Sequence, residues 1–216
     1  MFEHLREDLR RYGTGRRERI HAMVFAPGVW AIAGYRFSRW VYTAQLPRQV
    51  RKLLNIVVTF SGTAVKVLTN VELPAQAVIG PGLLIAHTGY IVLASDVVLG
   101  SHCTLTQGVT IGHGGGGKDA SFACPVIGDR VYIGPGAAII GGITVGDDAL
   151  IGIGAIVTKS VPERGVVVGN PARVVSHQGS FDMIAYPGIE NDLRRRAALE
   201  ERDRAGRSEG VVRQLK

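Results

Sequence analysis

Through the centre of this chain an aliphatic residue returns at every sixth position. In the segment VIGDRVYIGPGAAIIGGITVGDDALIGIGAIVTKSV, Ile127, Ile133, Ile139, Val145, Ile151 and Val157 keep that spacing without a slip. Helices repeat at about 3.6 residues and strands at 2, so neither alone produces it. The same step runs upstream from Val67 through Leu73, Ile79 and Ile85. It then lengthens to eight residues before Leu93 and resumes through Leu99, Leu105 and Ile111. Four residues past these anchors stands a second small or aliphatic side chain: Ala77, Leu83, Val97, Cys103, Val109, Val131, Ala137, Ile143, Ala149, Ala155 and Val161. Two inward positions per hexad describe a prism with three flat faces, each face a short strand and each coil about 18 residues. Stacked coils pair their strands in parallel and close a continuous aliphatic core. The glycine that often follows the anchor suits a corner that needs a permissive backbone.

The pattern divides the chain into three. Residues 1–66 read as an α-helical segment, with one helix around 3–12, another from Pro27 to Tyr42 and a third from Pro47 to Lys66, the prolines suiting first-turn positions. Residues 67–176 carry the repeat. Residues 177–216 form a charged tail, expected to be a fraying helix or disordered.

Composition and charge narrow the class. The chain of 216 residues is 46% hydrophobic but only 6% aromatic and holds 29 glycines, as a core of Val, Ile, Leu and Ala with many tight corners requires. Its net charge of +7 is unevenly spread: twelve Lys and Arg face four Asp and Glu in residues 1–66, five face seven in 67–176, and eight face seven in 177–216. The N-terminal basic residues are not interleaved with aromatics as in a nucleic-acid surface, so no nucleic-acid partner is expected. A solvated helical face is the favoured explanation, with contact to an anionic membrane surface as the lesser one. Cys103 and Cys124 offer neither a disulfide framework nor metal-ligand spacing, so no metal is expected and a reducing, cytoplasmic setting is. The N-terminus MFEHLREDLRRYGTG, with acids and no apolar core, is not expected to act as a signal peptide, and the later apolar stretches, IHAMVFAPGVWAIAGYRF and LLNIVVTFSGTAVKVL, read as packed helices.

Solenoid walls are monotonous, so interruptions of the repeat are where chemistry is expected. There are two. The step IAHTGYIVL adds two residues just after His87, and the loop GHGGGGKDASFACP stretches the interval between Ile111 and Ile127 to sixteen. Imidazole is the side chain best suited to taking a proton from a hydroxyl near neutral pH. Glu72 lies fifteen residues earlier, close to one coil, where its carboxylate would fix the tautomer of His87 and stabilise the imidazolium. The Gly-rich loop lacks the GxxxxGK[ST] spacing of a P-loop and leads into no helix.

The stretch VELPAQAVIGPGLLIAHTGYIVLASDVVLGSHCTLTQGVTIG, the Gly-rich Lys-containing loop, VVVGNPARVV and the upstream PGVWAIAGYRFSRWVY together resemble serine acetyltransferases and their relatives in polysaccharide gene clusters, within the hexapeptide-repeat acyltransferases. The resemblance covers roughly residues 5–176 and implies a left-handed parallel β-helix, assembled as a homotrimer, using acetyl-CoA as cosubstrate. It implies His87 as general base, supported by Glu72. CoA would lie between coils of adjacent subunits, at Gly112, Pro135, Gly136, Ile153 and Gly154, with Lys159 and Arg173 as phosphate partners. The family carries an aspartate just before the catalytic histidine and an Arg-His pair before the proline that reopens the repeat. This chain has Ala86 at the first place and Ala123-Cys124 at the second. Each lost partner of a zwitterion's charge costs about 1.5–3 kcal/mol, roughly ten- to a hundredfold in binding. His113, Lys118 and Asp119 in the loop are candidate replacements, and Cys124 a candidate border of the acceptor pocket. A neutral acceptor such as a sugar hydroxyl fits Ala86 and Cys124 with no replacement. The expected activity is therefore O-acetylation of a small hydroxyl acceptor, serine-like or carbohydrate; the rival from another class is a non-catalytic β-helix scaffold.

Overall fold

The computed structural model describes residues 1–114 and 123–214. Four helices come first: α1 (Phe2–Arg10), α2 (Arg16–Phe25), α3 (Pro27–Thr43) and α4 (Arg48–Thr69). Pro27 stands in the first turn of α3, as its fixed φ and missing donor favour. The sequence pattern does not separate α2, whose polar and apolar residues segregate poorly. Its start is set instead by Glu18, whose carboxylate reaches back to accept the amides of Thr14 and Gly15, just before the helix, at 2.9 and 3.2 Å.

The repeat then winds five coils. The first holds β1 (Val71–Glu72), β2 (Val78–Ile79) and β3 (Leu84–Ile85); the second β4 (Ile91–Leu93), β5 (Val98–Leu99) and β6 (Thr104–Leu105). The third holds β7 (Thr110–Gly112), β8 (Val126–Ile127) and β9 (Tyr132–Ile133), and the fourth β10 (Ala138–Ile140), β11 (Thr144–Val145) and β12 (Leu150–Ile151). β13 (Ile156–Val157) and β14 (Val166–Val168) close the last turn, and β15 (Arg173–Ser176) doubles back. Three sheets result, in orders β1-β4-β7-β10-β13, β11-β8-β5-β2 and β15-β14-β12-β9-β6-β3, here called faces 1, 2 and 3. Every pairing is parallel except β14 with β15. The anchors from Ile79 to Val157 are buried, as are their partners four residues on, except Ile143, which is half-buried. Cys103 sits in this core at 0% exposure.

Two expectations are corrected at the start of the repeat. Val67 is no anchor: it lies in the last turn of α4 and is 71% exposed. Leu73 is only half-buried, and the first inward position is Val71, because Asn70 in the left-handed conformation ends the helix immediately before it. The role of the glycine after each anchor also differs from expectation. Gly100 and Gly128 do not have positive φ; a Cβ on Gly100 would stand 2.4 Å from the carbonyl oxygen of Gly128, and one on Gly128 would stand 2.3 Å from Asp147 Oδ1. Close approach of successive coils, not backbone freedom, excludes a side chain there. Positive φ falls two residues beyond such glycines, at two of the three corners. Between faces 2 and 3 it falls on Gly82, His102, Arg130, Asp148 and Arg164, and between faces 3 and 1 on Tyr90, Gly108, Gly136 and Gly154.

An open solenoid end exposes its core and must be capped. Here α3 does so, adding Ala31, Ile32 and Tyr35 to the aliphatic cluster. Tyr35 Oη donates to Ala77 O at 2.7 Å and accepts from the Ile79 amide at 3.1 Å. The Arg36 guanidinium, 3% exposed, donates to the carbonyls of Ile79 and Gly80 and, bidentately, to Asp8 on α1. Asp8 also accepts the Leu83 amide at 2.8 Å.

The corner between faces 2 and 3 is covered by the chain's own ends. Arg11 donates to the carbonyls of Gly82 and His102. From the other terminus, Ser180 bonds Asp148 O and Arg130 O, Tyr186 lies 3.9 Å from the His102 ring, and the buried Arg195 pairs with Asp148 at 2.9 Å. His102 is therefore not a solvent-facing corner residue. The segment after the repeat is anchored rather than loose, and continues as α5 (Leu193–Gln214).

α4 departs from the expectation of a packed helix. It is long and apolar enough to cross a membrane by length and composition, yet 6% of its most apolar window is buried. One side lies on α3, while Leu53, Phe60, Val67 and Leu68 on the other are 64–74% exposed.

Asp8→Ala would leave the Arg36 guanidinium buried without its counter-ion. A loss of about 3–5 kcal/mol is expected, read as a lowered denaturant midpoint.

Candidate active site

Two corners of the prism remain open, and the predicted site residues divide between them. His87 stands in the bend between β3 and β4, at the corner of faces 3 and 1, where the eight-residue step adds its extra length. Its side chain is exposed, with no hydrogen bond among the described residues. Ala86, also exposed, is tied to the next coil through its amide, which donates to Leu105 O at 3.0 Å. Above His87 the corner repeats coil by coil through backbone bonds: Gly108 N to Gly89 O at 2.8 Å, Gly136 N to Gln107 O at 2.9 Å, and Gly154 N to Pro135 O at 2.8 Å. His87, Pro135, Gly136, Ile153 and Gly154 thus stand in one column. A Cβ on Gly136 or Gly154 would meet nothing within 4 Å, so this corner presents bare backbone to open space. Ile153 and Tyr90 line it with large apolar groups that are each 78% exposed. At its top, Ile156 N donates to Gly169 O and Ala172 N to Ile156 O, bringing Arg173 and its exposed guanidinium to the same end.

The other predicted residues lie at the corner of faces 1 and 2. Gly112 ends β7, and His113 leads into the long loop. Cys124 returns from that loop, and exposed Lys159 follows β13 at the top. Lys118 and Asp119 lie outside the described residues. Cys124 is 9% exposed, and its Sγ stands 3.4 Å from His113 Nδ1. Face 1 separates this corner from His87, so one chain alone does not place His87 beside Cys124.

Glu72 lies on β1 of face 1, with its carboxylate ion-paired to Lys66 of α4 rather than hydrogen-bonded to His87. The pair is about half exposed on each side, at 56% and 46%, so it contributes on the order of 0–1 kcal/mol and is easily exchanged for another partner.

Neither cysteine is placed to act as a nucleophile. Burial raises the Cys103 thiol to about 12, and desolvation also pushes the Cys124 thiol up. A thiol held protonated lacks the reactive form.

Two residues escaped the sequence reading. Tyr90 is displayed at φ +53 by the same two-residue extension that carries His87, which was the available signal. Asp96 lies under Cys124, because Val98 pairs with Val126 one coil on. Removing the ten extra residues of the loop from the count would have revealed it.

A parallel solenoid with a corner of bare, exposed backbone and an exposed histidine at its foot belongs to a class, the hexapeptide-repeat acyltransferases. Comparisons with known proteins make this specific. No protein-family model matches the chain. It is 34% identical over 196 residues to the serine acetyltransferase of Mycobacterium tuberculosis, spanning 87% of this chain and 81% of that one. It is 32% identical over 163 residues to that of Synechococcus elongatus, spanning 76% of this chain and 63% of the relative. Among solved structures, serine acetyltransferase from Brucella abortus in complex with coenzyme A superposes with a TM-score of 0.69 at 27% identity, covering 82% of this chain and 68% of that one. The Neisseria gonorrhoeae enzyme in complex with serine gives 0.66 at 28%, covering 81% and 69%. The chain belongs to the serine acetyltransferase family. It is an acyltransferase, and its solenoid is the left-handed parallel β-helix of that family.

Alkylation of the native protein should be slow at Cys124 and negligible at Cys103 near neutral pH. The rate at Cys124 should climb only once the pH passes the usual thiol range, because burial holds its thiol protonated; peptide mass spectrometry reads both sites.

Proposed function

We propose that this protein transfers the acetyl group of acetyl-CoA to a hydroxyl of a small acceptor, with His87 as general base. The observation that carries it is the exposed imidazole at the foot of a corner of bare, exposed backbone, in a chain this similar to serine acetyltransferases. Acetyl-CoA is the acyl donor. Its pantetheine arm lies along Pro135, Gly136, Ile153 and Gly154, with Ile153 supplying apolar contact and Arg173 and Lys159 meeting the phosphates. Gly112 contributes from the facing corner of the neighbouring copy.

His87 takes the proton from the acceptor hydroxyl as its oxygen attacks the thioester carbon. The tetrahedral oxyanion collapses, the C–S bond breaks, and CoA leaves as the thiolate, which takes up a proton. Glu72, released from Lys66, orients the imidazole and stabilises its charged form. No acyl-enzyme is required, in keeping with two thiols that burial keeps protonated.

The acceptor is serine, a serine-like compound or a sugar. Relatives crystallised with serine support the first. Ala86 and Cys124, which remove charged partners the family carries, favour a less charged acceptor unless His113, Lys118 and Asp119 rebuild the pocket.

We place the protein in a homotrimer. His87 and Cys124 lie at opposite edges of face 1, so a closed ring of copies sets the His87 corner of one against the Cys124 corner of the next. The uncovered apolar side of α4 is a second surface that such packing would bury. Two free thiols, neither in a disulfide, fit a cytoplasmic setting.

Release of CoA thiol is measured with L-serine, homoserine and a panel of free and nucleotide-linked sugars. Turnover with one acceptor is expected, falling by about 10²–10⁴-fold in His87→Ala. Undiminished turnover in that variant, or no acetyl-CoA binding at all, would sink the proposal and restore the scaffold.

Light scattering should give about three times the 23.1 kDa chain mass, with Phe60→Asp shifting the protein toward smaller species.

A further inference from the structure

The corner of faces 1 and 2 gathers three different metal-binding side chains. Asp96, His113 and Cys124 each offer one donor atom, and the three atoms lie within 4.8 Å of one another. The ladder brings them there: Leu93 pairs with Ile111, carrying His113 over the bend that holds Asp96, and Val98 pairs with Val126, carrying Cys124 over Asp96 itself. Cys124 Sγ stands 3.4 Å from His113 Nδ1 and 3.9 Å from Nε2, so Nδ1 is the nearer donor. Bonds of about 2.3 Å to sulfur and about 2.1 Å to nitrogen, at a tetrahedral angle, set those atoms about 3.5 Å apart. The pair is already at that separation. Only the carboxylate has to close in, and Asp96, on an exposed bend, has the room to do so.

We propose that Asp96, His113 and Cys124 form a site for one Zn²⁺ per chain. Thiolate, imidazole and carboxylate form a mixed set suited to zinc, whereas the hard cations Mg²⁺ and Ca²⁺ require oxygen donors throughout. Three protein ligands leave the fourth tetrahedral position to water, on the side where Asp96 and His113 meet solvent. The expectation of no metal rested on spacing along the chain, which shows only two isolated cysteines. Folding supplies what the spacing hides, because the loop's two ends, His113 and Cys124, are brought back over Asp96. A bound ion would staple those ends together. This inference does not rest on acyl transfer: it stands on three side chains gathered within one chain, and its test reads metal binding alone, even though the proposed ring would bring this corner against the His87 corner of a neighbouring copy.

The test uses the full chain, dialysed against a chelator and titrated with Co²⁺, whose thiolate charge-transfer absorption reports a Cys–metal bond directly. One equivalent per chain is expected, displaced by Zn²⁺. Cys124→Ala, or Cys124→Ser if the alanine variant does not fold, should lose the band, and Asp96→Asn should bind at least tenfold more weakly. Cys103→Ala should bind as the native protein does. Circular dichroism checks that each variant keeps its fold. Absence of the band in the native protein, its survival without Cys124, or undiminished affinity in Asp96→Asn would each overturn the site.

Discussion

The backbone ladder between coils is the constraint on which the rest of this structure depends. Each coil donates to the next along all three faces, from Gly80 N to Leu99 O and on through Gly100 N to Ile127 O and Gly128 N to Val145 O, at 2.8 or 2.9 Å. A ladder this regular admits little variation in residues per coil, because a slip of one residue would turn every anchor outward. It also fixes how closely coils approach, which is why Gly100 and Gly128 face oxygen atoms where a Cβ would clash. Departures from the count must leave the wall entirely. His87 owes its exposure to the first departure, and the juxtaposition of His113 and Cys124 follows from the second.

The chain's ends then decide which corners stay open. α1 and the segment around Ser180 to Arg195 both dock on the corner of faces 2 and 3, where Arg130, Asp148 and Arg195 form a buried network. Burying those charges stabilises little by itself, since desolvation offsets the Coulombic gain, but a broken pair is costly. The arrangement therefore specifies position more than it adds stability, and the other two corners are left to solvent. Both contain the residues on which function is argued.

Most of the wall was legible in the sequence, because inward positions on a solenoid depend only on local count. From Ile79 to Val157 the anchors stand where the six-residue step puts them. Legibility failed where position depends on something other than the count. Val67 fits the period yet belongs to a helix, since helical propensity runs unbroken to Asn70. α2 is started by one carboxylate, Glu18, rather than by an apolar stripe. The tail's charge suggests a fraying helix or disorder and a helix does form, but the charge does not reveal that Arg195 finds Asp148 across the fold, a contact 47 residues distant in sequence. In the candidate site, His87 was marked by the interrupted step, whereas Asp96 was hidden by the loop that separates it from Cys124.

The two substitutions against the family pattern now have a place in the fold. Ala86 sits beside His87, whereas Cys124 stands at the opposite edge of face 1, so they do not alter one pocket wall within a single chain. Only in a ring of copies would both border the same acceptor, each removing a charged partner from a different side. Losses on opposite sides of one ligand would need a replacement at each corner separately. The loop between His113 and Cys124 could replace partners on one side at most. A charged group lost at Ala86 would have to be replaced from the first corner itself, where Tyr90 is the large side chain the repeat displays.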